Sequence, residues 1–255
     1  MFVACSTLCF ASDPLEAALR HIAELEFDKV ELAVVEDGGH LRPSEVGDDP
    51  EAAYARLRRG PALSVSALHL DFGPVDWSDP VQKKRFDNHC RFAKALNVAV
   101  LTMAVAPSGT PLEAEAARLS ALSATAMREG LVLAALTQRQ AVTGDPAAAL
   151  KLCQDVPGLA LTLDPSHFVG SAKDAEVERL YPFVQNVHLR DTGKGPDEFQ
   201  VRIGQGRIDY ARIVNLLNRG GYKRALTVAV HDRQDDPDAH EVEVRKLKLL
   251  LETLL

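Results

Sequence analysis

Long apolar runs are missing from this chain of 255 residues. None approaches the roughly 18 consecutive residues that a membrane-spanning helix needs. A basic surplus is missing as well. The 29 Lys and Arg are outnumbered by 36 Asp and Glu, and the formal net charge of −7 argues against a nucleic-acid-binding surface, where a basic stripe is expected. Cysteine is sparse: Cys5, Cys9, Cys90 and Cys153 lack zinc-site spacing and sit in apolar or helical stretches, so they read as reduced, buried thiols. The N-terminus has no basic region ahead of its short apolar stretch. With cysteines of this kind, the cytoplasm is the expected compartment. No Gly-x-Gly-x-x-Gly follows the first apolar stretch, which weakens any reading as an open dinucleotide-binding sheet. No linker, low-complexity segment or internal repeat divides residues 1–255, and one domain is expected.

The stretch Leu159-Ala160-Leu161-Thr162-Leu163-Asp164-Pro165-Ser166-His167-Phe168 is the most informative one. Its continuous apolar and β-branched run reads as a strand covered on both faces, as in parallel sheets. Asp164-Pro165 stops it, because proline has no N–H to offer a ladder. Asn186-Val187-His188-Leu189-Arg190-Asp191 repeats the design of an apolar strand tipped with polar groups. Further strands are expected at Phe2–Phe10, Lys29–Val35, Leu63–Leu70, Val98–Val105, Leu131–Leu136 and Ala225–Val230. Helices follow them, several opened by Asp-Pro pairs that set a cap and a first helical turn. The loop Glu36–Ser44 and the loop Thr192–Gly206 read as polar, glycine-punctuated connections.

Eight strands alternating with eight helices imply a parallel sheet with right-handed crossovers. In about 250 residues they close most naturally into an α/β (β/α)₈ TIM barrel. Chemistry in such barrels lies at the carboxyl ends of the strands. The polar residues collected there are His40, His69, Asp71, Asp164, His167, His188, Arg190 and Asp191. Asp and neutral imidazole are ligand types for a divalent metal acting on oxygen-rich substrates. His167 and Arg190 are groups that orient or polarise a substrate oxygen, and His69 and His40 are candidate substrate contacts. A simpler reading stands beside each: a lone strand-end histidine is often a structural hydrogen-bonder, Asp191 can cap the following loop, and Arg190 can pair with it.

These residues bring out a resemblance. STLCF at the first strand, Lys29–Val34 with Glu31, LTLDPSH, NVHLRD, IGQGRIDYARI and GYKRALTV resemble the xylose-isomerase-like barrel superfamily of sugar isomerases and epimerases. The resemblance runs nearly end to end and implies a mouth where a divalent cation (Mn²⁺, Mg²⁺ or Zn²⁺) binds a ketose or aldose. Relatives hold the metal with a Glu ending strand five, an Asp of the D-x-x-H element, a His on strand seven and a Glu ending strand eight. By motif match Asp164 and His188 are two of these, with His167 and Arg190 in the catalytic positions contacting substrate. The two Glu positions fall on Leu136 and Ala229. That removes two ligands and the family's acid/base pair, leaving a degenerate metal site and an expectation of altered or absent isomerase activity. A rearranged site is the alternative. Alternation along a strand puts Gln138 and His231 on the same side as Leu136 and Ala229, so His231 could join Asp164 and His188, with Glu31 and His69 as further candidates; the simpler reading leaves Gln138 and His231 in solvated loop. Apurinic endonucleases share the barrel, but Glu198–Ile203 lacks their Asp-x-His and the chain is acidic. The expected partner is a carbohydrate-like small molecule, with neither nucleic acid nor membrane, and a homodimer is compatible with barrels of this kind.

Overall fold

Apolar strands that alternate with amphipathic helices can bury both faces of a parallel sheet only by wrapping it in helices, and here the sheet closes on itself. The computed structural model describes all residues except 39, 171–173, 196–197 and 233–236; Gly39 of the first polar loop and part of the 192–206 loop therefore lie outside the described residues. The first half of the chain forms β1 (Phe2–Ser6), α1 (Leu15–Glu24), β2 (Lys29–Val35), α2 (Pro43–Asp48), α3 (Pro50–Leu57), β3 (Ser64–Asp71), α4 (Pro80–Ala95), β4 (Val100–Met103) and α5 (Leu112–Arg128). The second half forms β5 (Val132–Leu136), α6 (Pro146–Asp155), β6 (Ala160–Leu163), α7 (Asp174–Glu178), β7 (Val184–Leu189), α8 (Tyr210–Arg219), β8 (Ala225–Val228) and α9 (Pro237–Glu252). Each strand pairs in parallel with the next, and β8 pairs with β1, so the eight form a closed barrel. The architecture is the expected (β/α)₈ barrel.

The Asp-Pro signals act as read. Asp49, Asp79 and Asp145 each accept a backbone N–H of the first turn that follows, with Pro50, Pro80 and Pro146 at the first helical positions. In α8 the buried residues Tyr210, Ile213, Val214 and Leu217 recur at helical spacing, so one stripe faces the barrel. Outward strand residues such as Leu32, Leu68, Leu101, Leu161 and Leu226 join this shell of apolar packing.

Alternation sends the other half of each strand into the barrel, where the filling comes in tiers. Ala67, Val100, Ala134 and Ala160 form a small apolar plug toward the amino ends of the strands. Above it lies a hydrogen-bonded polar tier. Thr102 and Thr162 hydroxyls meet at 2.8 Å, Asn186 Nδ2 donates to Glu31 Oε1 at 2.6 Å and to Thr102 Oγ1 at 3.1 Å, and Thr227 Oγ1 donates to Asn186 Oδ1 at 3.3 Å. The tier is fully buried, so each polar atom must find a partner inside the protein.

One helix escaped sequence reading. α2 falls in the Glu36–Ser44 loop and the residues after it, where Pro43 and Gly47 obscure a single helical turn. Gly47 is there because α4 crosses it closely: an added Cβ would stand 2.6 Å from Arg85 Cβ. The crossing is fastened by Arg85, whose Nε and Nη2 donate to the two oxygens of Asp48 at 2.8 Å each. Strand four is shorter than read, because only Val100–Met103 takes part in pairing.

Candidate functional site

A cavity of about 610 Å³ opens at the carboxyl ends of the strands. His69 comes from β3, Asp164 follows β6, His188 lies on β7 and Arg190 directly after it. Leu136 and Ala229, the two positions at which the resemblance implies carboxylates, stand in its wall at the ends of β5 and β8. Gln138 and His231, two residues further along each strand direction, also line it.

The centre of the mouth is an ion-pair network. The Arg190 guanidinium bridges two elements: Nη2 donates to Asp164 Oδ2, and Nη1 donates to His231 Nε2. Because that imidazole nitrogen accepts, His231 is neutral with its proton on Nδ1. Asp164 is held further by Ser166, whose Oγ donates to Oδ1 at 2.5 Å and whose N–H does so at 3.1 Å. Asp164 and Arg190 are both almost fully buried. Burial brings Arg190 down to about 10, which still leaves it cationic at neutral pH. Phe199 covers the group: its ring centroid lies 4.6 Å from the Arg190 Cζ, 4.8 Å from the His167 ring and 5.6 Å from the His231 ring. His167 Nε2 is 3.6 Å from Asp164 Oδ2, an electrostatic contact longer than a hydrogen bond.

The floor belongs to a second cluster. His188 Nε2 lies 2.8 Å from each oxygen of Glu31 and donates to Oε1. The His69 ring packs on that of His188 with centroids 5.4 Å apart. Burial by itself would push the Glu31 carboxyl up; His188, His69 and the Asn186 amide overcome this and hold it below the usual carboxylate range.

Burial pushes His69 and His167 down to about 4; neighbouring cationic groups, Arg190 for His69 and Arg139 for His167, act in the same direction. Both are therefore neutral in the folded protein at pH 7, whereas in the unfolded chain they titrate near 6.5. Between about pH 6.5 and 4 the unfolded chain binds more protons, so stability falls as pH is lowered through that window. Urea unfolding at pH 7, 5.5 and 4.5 should show the midpoint dropping, and His167→Gln should make the drop shallower. A midpoint unchanged from pH 7 to 4.5 would show that these imidazoles are not buried as described.

At the strand-end positions that the resemblance implies for a metal stand Leu136, Asp164, His188 and Ala229, all lining the cavity; Asp164 accepts from the Arg190 guanidinium and His188 is bonded to Glu31. The expected ligands Asp164 and His188 line the same cavity, each with its own partner, and Arg190 links Asp164 to His231 of the rearranged alternative. Among the described residues, the group whose ligand atoms all lie within 4.8 Å of one another is Glu31, His69 and His188. His40 does not line the cavity. It is buried outside it, with Nε2 2.9 Å from the Phe10 carbonyl oxygen, because Leu41 bridges Val34 and draws the loop against the barrel. Asp191 caps the following loop: its carboxylate accepts from the N–H groups of Thr192, Gly204 and Gly206. A Cβ at Gly206 would collide with it. Phe199 was not anticipated, since it sits in a loop without periodicity; its place after Glu198 gives no local signal.

The sequence profile of the family described as xylose isomerase-like TIM barrel matches residues 19–250. Comparison with curated proteins finds no match. Solved structures share the fold. A D-tagatose 3-epimerase-like protein is 21% identical with a TM-score of 0.75, the match covering 100% of this chain and 98% of that one. A xylose isomerase-like TIM barrel protein from Mycobacterium smegmatis in complex with magnesium is 15% identical with a TM-score of 0.75, covering 99% and 97%. A D-allulose 3-epimerase from Methylomonas sp. is 17% identical with a TM-score of 0.72, covering 100% and 98%. None of the described helices is long and apolar enough to cross a membrane. The chain belongs to the xylose isomerase-like TIM barrel family.

Proposed function

We propose that this barrel binds a carbohydrate-like ligand at its mouth, and that it does not use the family's strand-end metal and paired glutamates to isomerise it. One observation supports this reading above the others: Leu136 and Ala229 face the cavity while Arg190 takes up the Asp164 carboxylate. A divalent ion at that place would meet a fixed cation and one committed carboxylate, far short of the four to six donors such ions take. With both glutamates replaced, no carboxylate pair is left at those strand ends to move a proton beside a carbonyl.

What remains suits recognition of a polyol. Arg190 and the neutral His167 present donors to hydroxyl or carbonyl oxygens, His69 and Gln138 add polar groups, and Phe199 offers an apolar face to C–H groups. The sugar epimerases among the structural neighbours support a carbohydrate as the ligand class. The test is a panel of ketoses and aldoses. At least one sugar should raise the melting temperature and bind saturably by calorimetry, while Mn²⁺ or Mg²⁺ should give no interconversion detectable by NMR. Phe199→Ala should weaken that binding by about tenfold, or 1.4 kcal/mol. Metal-stimulated turnover that Asp164→Asn abolishes would overturn the reading.

A further inference from the structure

We propose that Glu31, His69 and His188 form a binding site for a zinc-class divalent ion in the floor of the cavity, distinct from the strand-end set that the resemblance implies in using Glu31 and His69 and sharing only His188 with it. The three come from β2, β3 and β7, and their ligand atoms lie within 4.8 Å of one another. An ion would draw the trio toward the roughly 3.3 Å between ligand atoms that tetrahedral zinc imposes.

Among the described residues, Glu31 Oε2 and His69 Nδ1 are buried with no hydrogen bond of their own, His188 Nε2 standing 2.8 Å from Glu31 Oε2 as an ion-pair contact while it donates to Oε1. Unsatisfied polar atoms in a native interior point to a missing partner, and an ion satisfies a carboxylate oxygen and an imidazole nitrogen together. The outer shell is already built. Asn186 Nδ2 donates to Glu31 Oε1 at 2.6 Å and so orients the carboxylate, the kind of second contact that ligating carboxylates have. Charge favours the arrangement too: Asp164 already matches Arg190, while no lysine or arginine among the described residues is hydrogen-bonded to Glu31.

Two imidazoles and one carboxylate select Zn²⁺, Co²⁺ or Fe²⁺ over Mg²⁺, which prefers oxygen. His69 and His188 line the cavity whereas Glu31 lies beneath it, so an open coordination position would face the ligand space. Three protein ligands and one open position is the pattern of catalytic zinc, and a bound ion would supply a Lewis acid for an oxygen in the cavity. This inference stands independently of whether the cavity takes a sugar.

The test uses the full chain stripped with chelator and titrated with Zn²⁺ alone, and with Co²⁺ as a visible-absorbance probe. Expected are one ion per chain with micromolar or tighter Kd, and cobalt bands of four- or five-coordinate intensity. Glu31→Gln and His69→Gln should each weaken Zn²⁺ by about 100-fold or more, beyond the 10–100-fold typical of outer-shell changes. Asp164→Asn and His231→Gln should leave the Kd within about threefold. Absence of saturable Zn²⁺ binding by the folded wild-type chain would overturn the site. So would binding that survives His69→Gln and vanishes with Asp164→Asn, which would place the ion at the strand ends. Should Glu31→Gln fail to fold, the wild-type cobalt spectrum and His69→Gln still decide.

Discussion

A Leu136→Glu/Ala229→Glu/Arg190→Gln triple variant should bind Mn²⁺ with micromolar affinity, and the double variant that keeps Arg190 should bind it far more weakly. Leu136 and Ala229 already face the cavity, so the new carboxylates need no change of strand register to reach it. The guanidinium is the obstacle, because it holds Asp164 and sets a positive charge where the ion would sit. Removing it frees a third carboxylate at the same moment as it removes the repulsion. Without metal the triple variant crowds three carboxylates into one cavity and should melt well below wild type. Mn²⁺ at about 100 times its Kd should return about 2.7 kcal/mol, or roughly 5–10 °C for a chain of this size. Calorimetry and thermal melts of both variants decide this. Adding Asp164→Asn to the triple variant should abolish the Mn²⁺ signal; persistence would mean the ion binds elsewhere.

Asp164→Ala should be the most destabilising single change at the mouth, at about 3–5 kcal/mol, because it strands a buried arginine. It also removes the acceptor for Ser166 N–H and Oγ at the turn over Pro165–Phe168. The melting temperature should fall by roughly 6–20 °C. Asp164→Ala/Arg190→Leu should recover much of that loss, since replacing both partners of a buried pair with apolar groups is often neutral or better. If the single variant melts with wild type, the Asp164–Arg190 pair is not formed in solution.

Much of this was legible in the chain. Asp-Pro pairs, glycine-bearing loops and apolar runs located every strand, because each signal is local and acts within a few residues. A period of two offered Gln138 and His231 as inward companions of Leu136 and Ala229 against a simpler reading as solvated loop, and the cavity wall has all four. The partners of Arg190 were not legible. Its neighbour Asp191 was an equally good candidate, but alternation turns adjacent residues to opposite sides of a strand. Asp191 went to the outer loop and Arg190 inward to Asp164, 26 residues away. Glu31 could be placed on its strand, yet its contact with His188 spans 157 residues and exists only because the barrel closes. His40 failed for the converse reason. A loop that looked free to reach the mouth is tied down by Leu41 and by the short α2 helix, whose Pro43 and Gly47 hide its period.

The polar tier inside the barrel has a consequence for how the protein comes apart. Its bonds join residues separated by 155, 84 and 60 positions, the Glu31–Asn186, Thr102–Asn186 and Thr102–Thr162 pairs. A contact this distant closes a long loop before it is rewarded, and one that formed late would govern the unfolding rate more than the folding rate. On that expectation the tier works as a latch on the closed barrel, setting the lifetime of the native protein more than the speed of its formation.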